Sequence, residues 1–228
     1  MRLGDDEMDA AFEKYAKKTK YDLGKQVKKD NFVFLNENYC EKEQTVLIGD
    51  SITEIFNWYE LFADFSKATG QAVYNRGISG DTSDRLLERL DCNALNISPR
   101  NLILLIGTND LGLGAPPAFT VENVRAIANR VRQQCPNTNL VLQGVYPVNK
   151  WARADSFAMV GKRRNETIAE LNEELKTVAL HTGAFWLDLT DVLSDKKGRL
   201  AKEYTYDGLH LNVHGFCVSA ENIIPCLK

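Results

Sequence analysis

Two hydrophobic rhythms alternate along this chain. From Gln44 onward, short continuous apolar runs rich in Val, Ile and Leu occur at Thr45–Ile48, Ala72–Tyr74, Asn101–Ile106, Leu140–Tyr146 and Phe185–Leu189. Between them, residues 53–68, 82–91, 120–134 and 161–182 carry apolar side chains at helical spacing, and a last helix is predicted over 213–223. Apolar runs without alternation read as strands buried on both faces, the mark of a parallel sheet covered by helices. Five such units predict an α/β fold: a three-layer α/β/α sandwich around a five-stranded parallel sheet. Open sheets of this kind bind ligands beyond the carboxyl ends of their strands, near the point where strand order reverses. Chemistry is therefore to be sought just after each strand.

Residues 1–43 follow a different pattern. Met8, Ala11, Phe12, Tyr15, Ala16, Thr19 and Leu23 recur at helical spacing among mixed charges, and Phe32–Leu35 reads as a short apolar tether. The expected organisation is an amino-terminal helical extension over 1–43, packed on a domain spanning 44–228. That amphipathic segment is also the candidate interface for an oligomer. A 228-residue chain with 44% hydrophobic content, Gly 15 and Pro 6 can bury a sizeable core and is neither disordered nor collagenous. No apolar stretch approaches the ~20 residues that span a bilayer. A net charge of -3 argues against nucleic acid as the main partner. The opening MRLGDDEMDA is acidic and lacks an apolar h-region, and Cys40, Cys92, Cys135, Cys217 and Cys226 form no C-x-x-C pair. These features predict a cytoplasmic chain with reduced thiols.

The strand ends hold the informative residues. The first strand runs into Gly49-Asp50-Ser51, and the second into Asn75-Arg76-Gly77-Ile78-Ser79-Gly80-Asp81. The third ends in Gly107-Thr108-Asn109-Asp110, and Tyr206-Asp207-Gly208-Leu209-His210 lies near the carboxyl terminus. Each segment alone is unspecific, and Ser51 alone reads as a helix N-cap. Four in order, each at a predicted strand end, resemble the conserved blocks of the SGNH hydrolases, the GDSL esterase/lipase family. Within it the chain is most similar to the platelet-activating-factor acetylhydrolase-like intracellular esterases. The resemblance covers residues 44–226 and implies a flavodoxin-like SGNH hydrolase fold and a lipase-like acylhydrolase that works without a cofactor.

Ester hydrolysis by serine needs a nucleophile, a base, a group orienting the base, and donors for the oxyanion. Beside the other blocks, Ser51 reads as the nucleophile. Asp207 stands three residues before His210, close enough for its carboxylate to reach the imidazole Nδ1–H and leave Nε2 for Ser51. His181 falls at a predicted helix end. His214 stands four residues after His210, but Leu211 replaces the Glu of a zinc-protease helix, so no metal site is expected. The resemblance assigns the oxyanion hole to the Ser51 and Gly80 backbone N–H groups and the Asn109 side-chain amide. Asp50, Asp81 and Asp110 read as caps or local acceptors, Gly112-Leu113-Gly114 as a flexible loop, and Trp58 and Tyr59 as packing residues. There is no G-x-S-x-G elbow.

The loop from Pro147 to Val160 carries Trp151, Phe157 and Met159, with Lys150 and Arg153, and is expected to shape a shallow aromatic pocket for a short acyl chain such as acetyl. The expected partner is a small-molecule ester, either an acetylated carbohydrate or a lipid-like ester. Lysophospholipase or thioesterase activity on the same fold is the alternative within the class. A non-catalytic binding module is the alternative outside it, and the presence of Ser51, Asp207 and His210 together speaks against that.

Overall fold

The computed structural model describes residues 5–228. Five strands form one parallel sheet: β1 (Thr45–Gly49), β2 (Val73–Gly77), β3 (Asn101–Leu105), β4 (Asn139–Gln143) and β5 (Phe185–Leu187). Their order is β2-β1-β3-β4-β5, so strand order reverses between β1 and β3. Leu47 of β1 lies opposite Asn75 on one side and Ile103 on the other. Successive strand residues point to opposite faces, and here both faces are apolar. Val46, Ile48, Leu102, Leu104 and Leu142 pack against one set of helices: α5 (Ser83–Asn93), α7 (Pro117–Gln134) and α9 (Asn165–Thr182). Leu47, Ile103, Leu105 and Val141 pack against Trp58, Phe62 and Phe216, the last of these on α11 (Val213–Ile223). This is the α/β/α sandwich that the apolar runs predict.

Several boundaries differ from the sequence reading, and polar side chains explain them. The helix predicted over 53–68 is three short ones: α2 (Ser51–Glu54), α3 (Trp58–Leu61) and α4 (Ala63–Thr69). The Asn75 amide on β2 donates to the carbonyls of Thr53 (2.8 Å), Glu54 (3.2 Å) and Phe56 (3.2 Å), which capture the end of α2. Trp58, as expected, is buried among core aromatics, whereas Tyr59 is exposed. β4 stops at Gln143 rather than Tyr146 because Asn172 of α9 takes the Val145 N–H at 2.8 Å and donates to its carbonyl at 3.0 Å. The supposed flexible loop at Gly112–Gly114 lies within and just after a short helix, α6 (Thr108–Leu113), capped by Gly114 at φ +91°. Two further short helices, α8 (Ser156–Val160) and α10 (Thr190–Leu193), fall where no helix was predicted.

The amino-terminal segment is one helix, α1 (Asp5–Asn38), which runs straight through the Phe32–Leu35 stretch read as a tether. The side chains of Met8, Ala11, Phe12, Tyr15 and Ala16 lie outside the described residues. Those described make a polar seam: Leu23 is exposed, while buried Asn36 donates to Asn93 O (3.0 Å) and accepts from Arg76 Nη2 (2.7 Å). Among the described residues no helix is long and apolar enough to cross a membrane.

Candidate active site

Ser51 opens α2 directly beyond β1, on the reversal side of the sheet. Only glycine fits before it: a Cβ at Gly49 would sit 2.4 Å from the Leu105 carbonyl oxygen. Asp50 caps the helix by accepting the Ile52 N–H at 2.9 Å. Its other oxygen is buried without a partner among the described residues. Burial pushes the Asp50 pKa up to about 7, against the Ile52 hydrogen bond, the His210 imidazole when protonated, and the Arg163 guanidinium.

His210 and Asp207 belong to a loop wound on itself. Asp207 Oδ1 accepts the backbone N–H of Leu209 (2.9 Å) and of His210 (2.7 Å), while Oδ2 lies 2.6 Å from His210 Nδ1. Thr205 Oγ1 donates to the His210 carbonyl at 2.6 Å and closes the loop. Burial alone would raise the Asp207 pKa. The hydrogen bonds from His210 and Leu209 outweigh it, and the net direction is down. An ionised carboxylate only accepts, so Nδ1 carries the proton and Nε2 is the acceptor for the Ser51 hydroxyl, 2.9 Å away. The chain Ser51–His210–Asp207 is therefore continuous. Tyr206 stacks on the imidazole at 5.8 Å between ring centroids, a contact that no spacing in the sequence revealed.

Gly80 and Asn109 meet through Asp81. Gly80 occupies a turn closed by Asp81 N–H to Ile78 O (3.1 Å), at φ +73°, a conformation that favours glycine. Asn109, in the first turn of α6, donates from Nδ2 to the Asp81 carbonyl at 3.0 Å. Around them stands a charged frame. Asp81 pairs with Arg89 at 2.7 Å and with Lys25 of α1 at 3.3 Å, and Arg89 also donates to the Gly49 carbonyl at 3.0 Å. Glu54 pairs with Lys28 of α1 and accepts the Ser79 N–H. Arg163, from the turn before α9, donates to Asn109 Oδ1 at 3.0 Å. Arg89, Glu54 and Arg163 escaped the sequence reading because each acts across the fold. Arg163 sits in the run Lys162-Arg163-Arg164, where nothing marks the middle residue.

Trp151, Phe157 and Met159 lie on the chain after β4 with exposed side chains. Trp151 faces the Arg199 guanidinium at 5.8 Å, and Phe157 faces Lys150 Nζ at 5.6 Å. The loop is anchored to the loop carrying Asp207 and His210 by Asn149 N–H to Gly208 O at 2.8 Å. His181 is exposed in the last turn of α9, and His214 is exposed in the first turn of α11. Among the described residues no three His, Cys, Asp or Glu side chains converge in a way that could hold a metal ion.

Residues 47–216 match the family model described as GDSL-like Lipase/Acylhydrolase. The chain belongs to this family. As a GDSL-like acylhydrolase it is 27% identical to the platelet-activating factor acetylhydrolase IB subunit beta homolog of Drosophila melanogaster, over 68% of each protein. It is also 28% identical to an N-acylneuraminate cytidylyltransferase of Escherichia coli, over 80% of this chain. There the match spans only 40% of the longer relative. A solved structure from Streptococcus pneumonia, provisionally described as a platelet activating factor, superposes with a TM-score of 0.87 at 30% identity, covering 96% of this chain and 99% of the other. That superposition reaches beyond residues 47–216 of the family model and takes in at least part of α1.

Proposed function

We propose that the chain hydrolyses a short-chain acyl ester, acetyl foremost, through an acyl-Ser51 intermediate. The observation that carries this reading is the unbroken hydrogen-bond chain from Ser51 Oγ through His210 to Asp207, at 2.9 and 2.6 Å. Ser51 Oγ attacks the ester carbonyl carbon as its proton passes to His210 Nε2. The imidazolium formed is stabilised by ionised Asp207, and it returns the proton to the departing alcohol as the carbon–oxygen bond breaks. Water then adds to the acyl-Ser51 with His210 again as base, releasing the carboxylic acid and the free serine. The carbonyl oxygen gains negative charge in both tetrahedral intermediates. The Ser51 N–H, the Gly80 N–H and the Asn109 Nδ2–H are its donors.

The exposure of Trp151, Phe157 and Met159 supports acetyl, because exposed side chains would offer little enclosed apolar wall for a long chain. It is also the acyl group in the name of the fly acetylhydrolase. The ester carrier is an acetylated carbohydrate or a lipid-like alcohol. A fluorophosphonate should label the wild-type protein and leave Ser51→Ala unlabelled; full labelling of that variant refutes the nucleophile. Nitrophenyl esters from acetyl to dodecanoyl test the acyl group, and the highest kcat/KM is expected on acetyl. Preference for dodecanoyl would point to a lipase or long-chain thioesterase instead.

A further inference from the structure

The Asn109 side chain is the one oxyanion donor whose direction the backbone does not fix. A carboxamide can rotate by half a turn and present oxygen where nitrogen stood. With its oxygen turned inward it would repel an oxyanion. Something must hold it in the productive orientation.

We propose that Arg163 is that positioning residue: its guanidinium locks the Asn109 amide so that nitrogen, not oxygen, faces the oxyanion. The proposal rests on the reading of Asn109 as a donor given above. Arg163 is buried and its head group is pinned by hydrogen bonds from all three nitrogens. Nε donates to Thr108 O (2.8 Å) and Thr108 Oγ1 (3.0 Å), and Nη1 donates to Val160 O (3.1 Å) and Met159 O (3.3 Å). Nη2 is left for Asn109 Oδ1 at 3.0 Å. Guanidinium can only donate. A flipped Asn109 would therefore set its NH₂ against Nη2 and its oxygen against the Asp81 carbonyl, two repulsions in place of two hydrogen bonds. The same bond is charge-assisted and withdraws electron density from the amide oxygen, so the Nδ2–H is a stronger donor.

The local sequence makes room for this arrangement. Gly112 lies under the guanidinium, and a Cβ there would stand 2.5 Å from Arg163 Cζ. A glycine inside α6, unfavourable for the helix in itself, thus leaves the space that the arginine fills. Because Met159 and Val160 supply two of the acceptors, the lock also ties the loop beyond β4 to the oxyanion side of the site.

The test is a double-mutant cycle on nitrophenyl acetate, with thermal unfolding measured on every variant. Asn109→Ala should lower kcat by about 10²–10³-fold with little change in KM; an unchanged kcat overturns the reading of Asn109 itself and leaves Arg163 nothing to position. Arg163→Met should lower kcat by about 10²-fold, also at near-constant KM, and should cost nothing further in the Asn109→Ala background. Losses that multiply in the double variant overturn the proposal, since Arg163 would then act by another route. Gly112→Ala covers the case in which Arg163→Met fails to fold. It keeps the charge but displaces the head group, so it should reproduce the kcat loss and should likewise be silent when Asn109 is alanine. A Gly112→Ala protein of wild-type kcat overturns the proposal.

Discussion

The two halves of the site are built in opposite ways. The proposed base and its orienting acid sit in one loop, residues 205–211, in which one Asp207 oxygen holds two backbone N–H groups and the other holds the imidazole. The proposed oxyanion side is assembled from three strand ends. It is held by Arg163 and by Lys25 and Lys28 of α1, from elements distant in sequence, and by Arg89, which joins Asp81 to the Gly49 carbonyl of β1. A proton relay needs one fixed pair at short range, and a local turn supplies it. An oxyanion hole needs donors converging from several directions, which one short loop cannot provide. Loss of a hydrogen-bonding side chain from the local half should therefore fall sharply on chemistry, whereas damage to the loop's backbone or to the distributed half should be mixed with stability.

The sharpest expected effect is Asp207→Asn. The amide oxygen can still accept from Leu209 and His210, so the loop should survive. Its NH₂ would face Nδ1, forcing the imidazole proton onto Nε2, where it blocks transfer from Ser51. A fall in kcat of about 10⁴-fold is expected, with the melting temperature close to wild type. Near-normal turnover would mean that the loop orients His210 without the carboxylate, and the local half would be less dependent on one residue than its geometry implies.

Asp50→Asn probes the junction of the two halves through stability. Burial raises the folded pKa of Asp50 to about 7, from the ordinary aspartate value of 3.8. Below about pH 4 the carboxyl is protonated whether the chain is folded or not. As pH rises toward 7, the unfolded chain releases the proton while the folded one keeps it, so wild-type stability falls by a total on the order of 3–5 kcal/mol and then levels off. Asparagine has no such titration and can still cap Ile52. Its stability relative to wild type should rise between pH 4 and 7 and stay flat above. A pH-independent difference in denaturant unfolding would show that the orphaned Asp50 oxygen finds solvent.

This division also governs what could be read from the sequence. Gly49-Asp50-Ser51 and Asp207-Gly208-Leu209-His210 stood out only together with the other two blocks, through the resemblance of all four in order to one family; by spacing alone, only the three-residue step from Asp207 to His210 suggested a paired carboxylate and imidazole. The apolar runs of β1, β3 and β4 were legible because burial on both faces leaves no polar positions. Asn75 and Asn172 redrew element ends, and Arg163 took up the space over Gly112. They did so through side chains that meet backbone contributed by other elements, so neither periodicity nor local spacing carries any trace of them. The tether read at Phe32–Leu35 failed for a related reason: Asn36 and Arg76 hold the helix across a polar seam that an apolar pattern does not register.

Gly208→Ala tests how tightly the local loop is built. Gly208 has φ +85°, and a Cβ there would meet the Asn149 carbonyl oxygen at 2.2 Å. The left-handed backbone and the clash should together destabilise the fold by about 1–3 kcal/mol and loosen the Asn149 N–H to Gly208 O bond. Lower kcat together with a lower melting temperature is expected. Wild-type values for both would mean that the loop yields easily, against the picture of a self-wound unit.

The smallest effect should come from Lys28→Ala, and its size decides whether α1 belongs to the oxyanion frame or merely rests on it. Lys28 pairs with Glu54, whose other carboxylate oxygen accepts the Ser79 N–H next to Gly80, but both side chains are partly exposed. A pair in such a setting contributes less than about 1 kcal/mol, which limits the change in kcat to within about fivefold. Screening should act on the same pair, so high salt should bring wild type toward the variant without affecting the variant itself. A loss approaching that of Asp207→Asn would erase the contrast between the two halves, since one lysine on a distant helix would then control the chemistry as strictly as the triad loop does.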